Sequence, residues 1–372
     1  MSDFQTERTK SDSTSSNKKI DRNQISFRDA LREAFIQEMD RDPDIIQLGE
    51  DLAGGANLPH LEGDESLGGS FGVTANLSKR FGRKRIIDTP ISETAYVGAA
   101  CGAAILGLRP IIEIQFMSFF GVCFDQIFNQ IARSRYLSGG ENNVPVVIRG
   151  AGGAGWGGAG QHSDVAYSHM THIAGLKVVV PSTPYDCKGL MISAIRDDDP
   201  VFFMEHIKLY DSKGYVPEES YSIPIGKADI KREGNHVTIV ATSYMVNNAI
   251  IAADSLIKDG IDVEILDPRT LSPLDESSII SSVQKTRKLV VVDEDNPRCG
   301  FAADVSALAA DKCFDYLEAP IKLVTCPHVP CPFSPQLEKI YVPSPEKIVD
   351  TVQWCHDGGW STVVKRCHLA PS

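Results

Sequence analysis

Short apolar segments alternate with segments of helical character along most of the chain, and this alternation constrains the fold more than any other feature. Residues 45–48, 85–88, 110–115 and 144–149 are rich in Ile and Val and predict strands. The segments between and after them, among them residues 121–137 and 184–196, carry helical periodicity or capping signals and predict helices. Strands that alternate with helices are typical of a parallel sheet covered on both faces. The sequence therefore predicts an α/β fold.

A second alternating series of the same kind predicts a second domain. Residues 25–206 form the first series and residues 236–355 the second, and residues 207–235 lack periodicity and predict a linker. The polar residues 1–24 predict a disordered tail, and residues 356–372 a second tail. A chain of 372 residues exceeds what one hydrophobic core usually serves, which also favours two domains.

Charge and cysteine content argue against several classes of protein. The chain has 49 acidic and 37 basic residues, so nucleic acid and anionic membranes are not expected as general partners. The longest apolar run, residues 96–108, is too short and too rich in glycine and alanine to span a bilayer. Nine cysteines without a CxxC pair indicate free thiols in a reducing compartment, so a cytoplasmic protein is expected.

A glycine-rich stretch follows the predicted strand 144–149. Gly150, Gly152 and Gly155 satisfy the GxGxxG pattern of dinucleotide-binding proteins. That motif has to open into a helix, whereas residues 156–160 have poor helix propensity. A flexible or ligand-lining loop is therefore favoured over a dinucleotide site.

Two side chains are candidates for chemistry. Glu93 begins a predicted helix directly after the strand 85–88, and parallel sheets place ligand sites at the carboxyl ends of their strands. The alternative is a first-turn acid favoured by the helix dipole. His162 follows the glycine-rich stretch, a position that can bring a side chain close to a substrate, with a surface loop histidine as the alternative.

The segment Arg85–Glu93 (RIIDTPISE) resembles the signature of beta subunits in the pyruvate, branched-chain and acetoin dehydrogenase families. The resemblance covers about residues 24–355 in unbroken order. Its further matching segments are Gly107–Pro110, Phe124–Ile127, Gln161–Ser163, Gly175–Val178, Ala194–Asp197 and Arg269–Pro273. It implies a transketolase-like fold, in which a pyrimidine-binding domain for thiamine diphosphate precedes a C-terminal α/β domain.

The resemblance also implies roles for individual residues. Glu93 would contact the aminopyrimidine ring of thiamine diphosphate and serve as an acid–base relay. His162 would face the substrate and the incoming lipoyl group. Phe119 would stack on the aminopyrimidine, although it would equally suit an apolar core, and Gln115 is assigned to the same cofactor site.

Cation sites are implied in the same way. Val146, Ala194, Ile195 and Asp197, together with Asp199, match a monovalent-cation site for potassium. Asp199 stands where relatives often have asparagine, and a solvated acidic turn is the alternative. Magnesium on the diphosphate requires a GDG motif, which this chain lacks, and hard oxygen ligands are indispensable there. A separate alpha subunit is therefore expected to supply the Mg²⁺ ligands in an α2β2 assembly.

Residues 49–56, 71–74, 296–299 and 327–334 resemble the acetoin-cleaving branch. That enzyme splits acetoin and passes the two-carbon unit to a lipoyl group of an acyltransferase. A decarboxylating subunit for pyruvate or a branched-chain 2-oxoacid is the main alternative. An NAD-dependent dehydrogenase and a non-catalytic adaptor are further ones. Family members dock a small, often basic, domain of the acyltransferase, which fits the acidic net charge of −12.

Overall fold

The computed structural model describes residues 21–54 and 68–359, which form two α/β domains. Of the predicted tails 1–24 and 356–372, residues 1–20 and 360–372 lie outside the described residues, as do residues 55 and 56 of the acetoin-type motif. His356, assigned to the second tail, instead ends a helix. Residues 22–24, assigned to the tail from the sequence, instead form a helical turn. Arg22 in this turn pairs with Glu33 at 2.7 Å, so the tail boundary expected at residue 24 falls too late.

The first domain contains a seven-stranded sheet with helices on both faces. Six of its strands are parallel, in the order β6-β7-β5-β4-β2-β3. Its elements are β1 (Ile25–Ser26), α1 (Phe27–Arg41), β2 (Ile45–Gly49), α2 (Leu77–Phe81), β3 (Ile86–Asp88), α3 (Glu93–Ile105), β4 (Arg109–Phe116), α4 (Ser134–Leu137), β5 (Val147–Gly152), α5 (Tyr167–Thr171), β6 (Lys177–Val179), α6 (Pro184–Arg196), β7 (Val201–His206) and β8 (Lys213–Gly214).

The second domain contains a five-stranded sheet in the order β14-β13-β10-β11-β9. Its elements are β9 (Asp229–Arg232), β10 (Val237–Ala241), α7 (Met245–Leu256), β11 (Val263–Asp267), β12 (Thr270–Ser272), α8 (Glu276–Thr286), β13 (Leu289–Val292), α9 (Phe301–Lys312), β14 (Lys322–Val324), α10 (Pro335–Tyr341) and α11 (Pro345–His356). Only β9 runs antiparallel within it. The predicted α/β fold is therefore confirmed, with parallel strands dominating both sheets.

The linker is more structured than the sequence indicates. Within residues 207–235, β8 pairs with β1, and β9 forms the edge of the second sheet. One strand also crosses between the domains, because β12 leaves the second domain and pairs antiparallel with β6 of the first sheet. The two domains are thus joined by a shared sheet as well as by the connecting chain.

Two local predictions are corrected by the structure. The single long helix expected at residues 121–137 is divided into a 3-10 helix (Met117–Cys123), a π-helix (Gln126–Ile131) and α4. The first three residues of the glycine-rich stretch belong to β5 rather than to a loop. A side chain at Gly150 would overlap the carbonyl oxygen of Ile114 on β4, so glycine is required by close strand packing there.

Both sheets are covered by apolar side chains. One cluster extends from the first sheet and the helical segments at residues 93–132 to the second sheet and its helices α8 and α9. A second lies between the first sheet and the pair α1 and α6. A third fills the second domain under α7 and α11. Within the described part of the chain, no helix is both long and apolar enough to cross a bilayer.

Candidate active site

Glu93 lies where the sequence places it, at the first position of α3 and just after the end of β3. Glu93 is only 7% exposed to solvent. Among residues 21–54 and 68–359, no hydrogen bond to its carboxylate is formed. A first-turn acid that only complements the helix dipole would be solvated, so burial favours a functional role for Glu93.

A second carboxyl, Glu50, lies beside Glu93 and was not assigned a role from the sequence. Glu50 follows β2 as Glu93 follows β3, and these strands pair so that Gly49 is opposite Asp88. Burial, reinforced by the negative charge of Glu93, raises the pKa of Glu50 to about 7. The site therefore holds two adjacent carboxyl groups, one of which exchanges its proton near neutral pH.

The turn Met117–Cys123 connects Glu93 to the aromatic part of the site. Thr94, next to Glu93, donates a hydrogen bond from its Oγ1 to the carbonyl of Val122 at 2.7 Å. Burial and the nearby charge of Glu93 raise the pKa of the Cys123 thiol to about 12. The turn thus lies directly against the start of α3.

Phe119 projects from this turn and is half-buried. Its ring packs edge-on against Phe116, with centroids 5.5 Å apart, and against His162 at 5.7 Å. The core interpretation holds in part, since Phe119 packs against the apolar cluster beneath it, and its stacking on the aminopyrimidine stays a prediction. Gln115 is half-buried and lies next to Phe116 near the end of β4.

His162 is held by the backbone of the glycine loop, defined here as residues 153–160. Its Nδ1 lies 3.2 Å from the carbonyl oxygen of Gly158. A carbonyl oxygen only accepts hydrogen bonds, so Nδ1 carries a proton, and in the neutral ring Nε2 keeps its lone pair. The ring also packs edge-on against Phe116 at 4.5 Å. His162 is therefore oriented as a proton acceptor through Nε2 rather than left as a free surface side chain.

The glycine loop does not form a dinucleotide site. It runs from β5 through bends and turns, and the next helix, α5, begins only at Tyr167. Gly153 has a φ of +95°, and a side chain at that position would overlap the ring of His206. The glycines therefore serve backbone geometry and close packing, and residues 153–160 form a loop, as the sequence favoured.

A polar cavity of about 270 Å³ lies behind His162, between the two domains. Burial and the charge of Asp295 raise the pKa of Asp164 at this cavity. Ser163 Oγ is buried there without a hydrogen-bond partner among the described residues. Glu294 and Asn296 of the second domain complete its lining, so both domains contribute to this side of the site.

The residues assigned to a potassium site already have protein partners. Arg109 donates from Nε to the carbonyl of Ile195 at 2.9 Å and from Nη2 to that of Asp197 at 2.6 Å. The carbonyl of Val146 accepts the N–H of Val201 at 2.9 Å. Each of these carbonyls is therefore occupied by a donor of the chain itself.

The carboxylate that completes this set is also engaged. Asp199 accepts from Arg135 at 2.5 Å and pairs with Lys177 at 3.2 Å. Burial alone would raise the pKa of Asp199, but these two cations lower it. The remaining carbonyl, that of Ala194, accepts the N–H of Asp197 at 3.4 Å. Since cationic side chains already balance the charge, the set fits a further cation poorly, and potassium stays a prediction.

Two other acidic residues near the site were missed from the sequence. Glu294 and Glu338 belong to the second domain and bond to the backbone of the glycine loop. They are 140 and 183 residues from their partners, so no local pattern connects them. Glu50 did carry a local signal, because it directly follows an apolar strand that ends in Gly49.

Comparison with known proteins identifies the class. Residues 23–213 match the family model for the transketolase pyrimidine-binding domain, and residues 226–348 match that for the transketolase C-terminal domain. Among solved structures, a split-gene transketolase in an inactive beta4 tetramer superposes with a TM-score of 0.69 at 22% identity. The match covers 90% of this chain and 99% of that one. The fold and the site therefore define a transketolase-type protein.

Similar proteins of known activity show which family of transketolase-type proteins the chain belongs to. The beta subunit of acetoin:2,6-dichlorophenolindophenol oxidoreductase from Bacillus subtilis (strain 168) is 55% identical over 87% of this chain and 95% of its own length. The pyruvate dehydrogenase E1 component subunit beta from Rickettsia felis is 43% identical over 89% of this chain and 98% of its own. The chain belongs to the family of acetoin and 2-oxoacid dehydrogenase beta subunits, which confirms the resemblance seen in the sequence.

Proposed function

We propose that this chain is the beta subunit of a thiamine-diphosphate-dependent enzyme that cleaves acetoin and passes the two-carbon unit to a lipoyl group. The observation that carries the proposal is the environment of Glu93. This carboxylate is buried at a strand end, unpaired among the described residues, and next to the titrating carboxyl of Glu50. Such an arrangement suits a group that exchanges a proton with a bound ring.

The residues present fit the pyrimidine end of the cofactor. Glu93 offers a buried acceptor for a ring nitrogen, and the half-buried ring of Phe119 offers an aromatic face. Thr89, at the turn between β3 and α3, has a buried Oγ1 without a partner among the described residues. Thiamine diphosphate, when bound, supplies the nucleophilic carbon that attacks the substrate carbonyl.

The two catalytic residues would act on different protons. Glu93 would hold a proton at the cofactor ring inside a site from which water is largely excluded, with Glu50 as the adjacent proton reservoir. His162 would accept the hydroxyl proton of acetoin at Nε2, because its Nδ1 is committed to Gly158. Removing that proton would let the oxygen become the carbonyl of released acetaldehyde as the carbon–carbon bond breaks, and the bonding electrons would stay with the other two-carbon fragment.

An alpha subunit is part of the proposal. Large apolar side chains remain exposed on one side of the first domain, an arrangement that marks interaction surfaces. Gly102 of α3 is also exposed, and a Cβ there would meet nothing within 4 Å, so this small-residue face is open to another helix. The exposed apolar residues are Ile91, Ile105, Leu106, Val122, Tyr136 and Leu137. We propose that this surface joins the alpha subunit in an α2β2 assembly.

The alpha subunit would also supply the Mg²⁺ ligands. Over residues 21–54 and 68–359, no group of three or more His, Cys, Asp or Glu side chains is arranged to hold a metal ion. A lipoyl-bearing acyltransferase would be the acyl acceptor, as the family resemblance implies. All eight described cysteines are free thiols, which supports a cytoplasmic enzyme.

Decarboxylation of pyruvate or a branched 2-oxoacid is the second candidate, because relatives with those names share 40–43% identity with this chain. The 55% identity to an acetoin-type beta subunit favours acetoin. The two candidates are separated by substrate preference. A purified complex of this chain with its alpha subunit should therefore be compared on acetoin, pyruvate and 2-oxoisovalerate, with dichlorophenolindophenol as the electron acceptor.

The decisive variant is Glu93→Gln in that complex. Removing the acid–base group should lower kcat with acetoin by about 100-fold or more while the complex still assembles. Glu276→Gln, the same change at an exposed helix start in the second domain, is the matched control and should retain full activity. Full turnover by Glu93→Gln, or tight binding of thiamine diphosphate and Mg²⁺ by the isolated beta chain, would refute the proposal.

A further inference from the structure

Three consecutive backbone N–H groups of the glycine loop converge on one carboxylate of the second domain. Glu338 on α10 is only 3% exposed. Its Oε1 accepts from Gly155 at 2.6 Å and from Trp156 at 3.2 Å. The N–H of Gly157 lies 3.2 Å from Oε1 and 3.0 Å from Oε2. Successive N–H groups of this kind form an anion-binding nest, here occupied by a side chain of the protein itself.

A second carboxylate extends the contact by one residue. Glu294 follows β13, and its Oε1 accepts the N–H of Ala154 at 2.6 Å. Its Oε2 lies 2.8 Å from Nε2 of His206 at the end of β7. The four amides from residue 154 to residue 157 are therefore all bonded to acidic side chains of the second domain.

This contact bears on the orientation of His162. The loop continues from Gly157 directly to Gly158, whose carbonyl holds Nδ1 of His162. The backbone N–H of His162 bonds to the carbonyl of Ala159 at 3.3 Å. A displacement of the amides bound to Glu338 would therefore move the carbonyl that fixes the tautomer and direction of the imidazole.

Besides the two carboxylates, the loop is held by the stacking of Trp156 on Phe116 and by the bond from the Trp156 indole N–H to the carbonyl of Gly153 at 3.0 Å. Gly155 and Gly157 have φ values of +95° and +83°, and the loop contains neither helix nor strand. Glycine has more conformational freedom than any other residue, so such a loop loses much entropy when it is ordered. Hydrogen bonds from N–H groups to a carboxylate are roughly twice as strong as those between neutral groups. A buried carboxylate with four such contacts is well suited to offset that loss.

We infer that Glu338 is a positioning residue, which orders the glycine loop so that His162 presents Nε2 to the substrate. The inference rests on the proposed function for the role of His162, whereas the ordering of the loop does not depend on it. Glu338 bonds to the backbone of the loop, so it acts through His162. The second domain thereby contributes to the reaction through the loop and not through direct contact with the substrate.

Amide hydrogen exchange of the complete alpha–beta complex tests the ordering of the loop. In Glu338→Ala, the amides of residues 155–157 should exchange at least about tenfold faster than in the wild type. Glu338→Gln keeps one acceptor oxygen, so its exchange should lie between the two. Exchange in the strands β10 and β13 should not change, which separates a loosened loop from a domain that fails to fold.

Steady-state kinetics of the same complexes test the consequence for His162. Small displacements of a catalytic group cost between about ten- and a hundredfold in rate, so kcat with acetoin should fall by that factor in Glu338→Ala. KM and the dissociation constant of thiamine diphosphate should change less than about twofold, because Glu93 and Phe119 lie outside the loop. Glu338→Gln should recover much of kcat, and the exposed-site control Glu276→Gln should behave as wild type.

The outcomes distinguish this inference from the proposed function. Wild-type exchange at residues 155–157 in Glu338→Ala would overturn the ordering of the loop. Faster exchange with an unchanged kcat, or an equal loss in cofactor affinity, would overturn the positioning of His162. If Glu338→Ala does not assemble, the same criteria apply to Glu338→Gln. An inactive wild-type complex would refute the proposed function. The hydrogen-exchange result would then still test whether Glu338 orders the loop.

Discussion

Replacing Arg149 by methionine should destabilise the first domain strongly. Arg149 is 2% exposed in the middle of β5 and lies between carboxylates on the two neighbouring strands. It bonds to Glu205 on β7 through Nε at 2.6 Å and Nη2 at 2.7 Å, and to Glu113 on β4 through Nη1. Methionine has a similar length but carries no charge, so the variant leaves two buried carboxylates without their cation.

The magnitude follows from that unpaired charge. Breaking a buried ion pair by removing one partner costs about 3–5 kcal/mol, mostly because the remaining charge is desolvated. With a urea dependence of about 3 kcal/mol per molar, the unfolding midpoint should fall by about 1–1.7 M. Arg80→Met is the matched control, because Arg80 pairs with Asp40 at the surface, where ion pairs contribute about 0–1 kcal/mol.

Two further measurements test the reasoning itself. Burial raises the pKa of Glu113, although Arg149 opposes this shift. Without Arg149 the carboxyls should take up protons more readily, so the defect should shrink as the pH is lowered from 8 to 6. Adding Glu205→Gln to Arg149→Met should restore part of the lost stability, because it removes one buried charge. A urea midpoint equal to wild type, or additive losses in the double variant, would refute this account.

Two other predictions concern the site. Glu50 resists ionisation in the folded protein, so wild-type stability should fall as the pH rises from about 4.5, the ordinary pKa, to about 7. Glu50→Gln should therefore show a higher Tm than wild type above pH 7 and no advantage below pH 4.5; a pH-independent difference would contradict the shifted pKa. Gly153→Ala and Gly157→Ala both place alanine at positive φ, which costs about 1–3 kcal/mol, but only the former side chain would overlap His206. Thermal unfolding should therefore show the larger loss for Gly153→Ala, and equal losses would exclude the contact with His206.

Much of the fold is encoded by local signals. Helix α6 spans Pro184–Arg196, as predicted from residues 184–196, because Thr183 caps it and proline occupies its first turn. Most predicted strands differ by one or two residues from those observed. The spacing of apolar residues indicates whether a segment is buried on one face or on both, and this spacing differs between strands and helices.

Local signals fail where distant segments decide the outcome. The helix predicted at residues 121–137 is divided into three helical segments, one of them a turn that packs against the start of α3. Strand β12 belongs by sequence to the second domain yet completes the first sheet. Its three residues carry no sign of their partner, which lies about 90 residues earlier in the chain.

The residues of the candidate site likewise fall into those predicted from the sequence and those that only the structure revealed. The sequence predicted Glu93 as a site residue from its position at a strand end, and it predicted Phe119, Gln115 and His162 through the family resemblance. Only the tertiary structure brought Glu50 against Glu93 and thereby raised its pKa, since desolvation and charge proximity depend on distances in space.

The contact of Glu338 with the glycine loop was likewise decided by the tertiary structure alone. It joins residues 181–183 positions apart in the chain. The sequence determines which segments can form strands and helices because capping, propensity and periodicity act over a few residues. Which buried charges meet is decided by how the two domains pack, because electrostatic and hydrogen-bond energies depend on separation in space and not on separation along the chain.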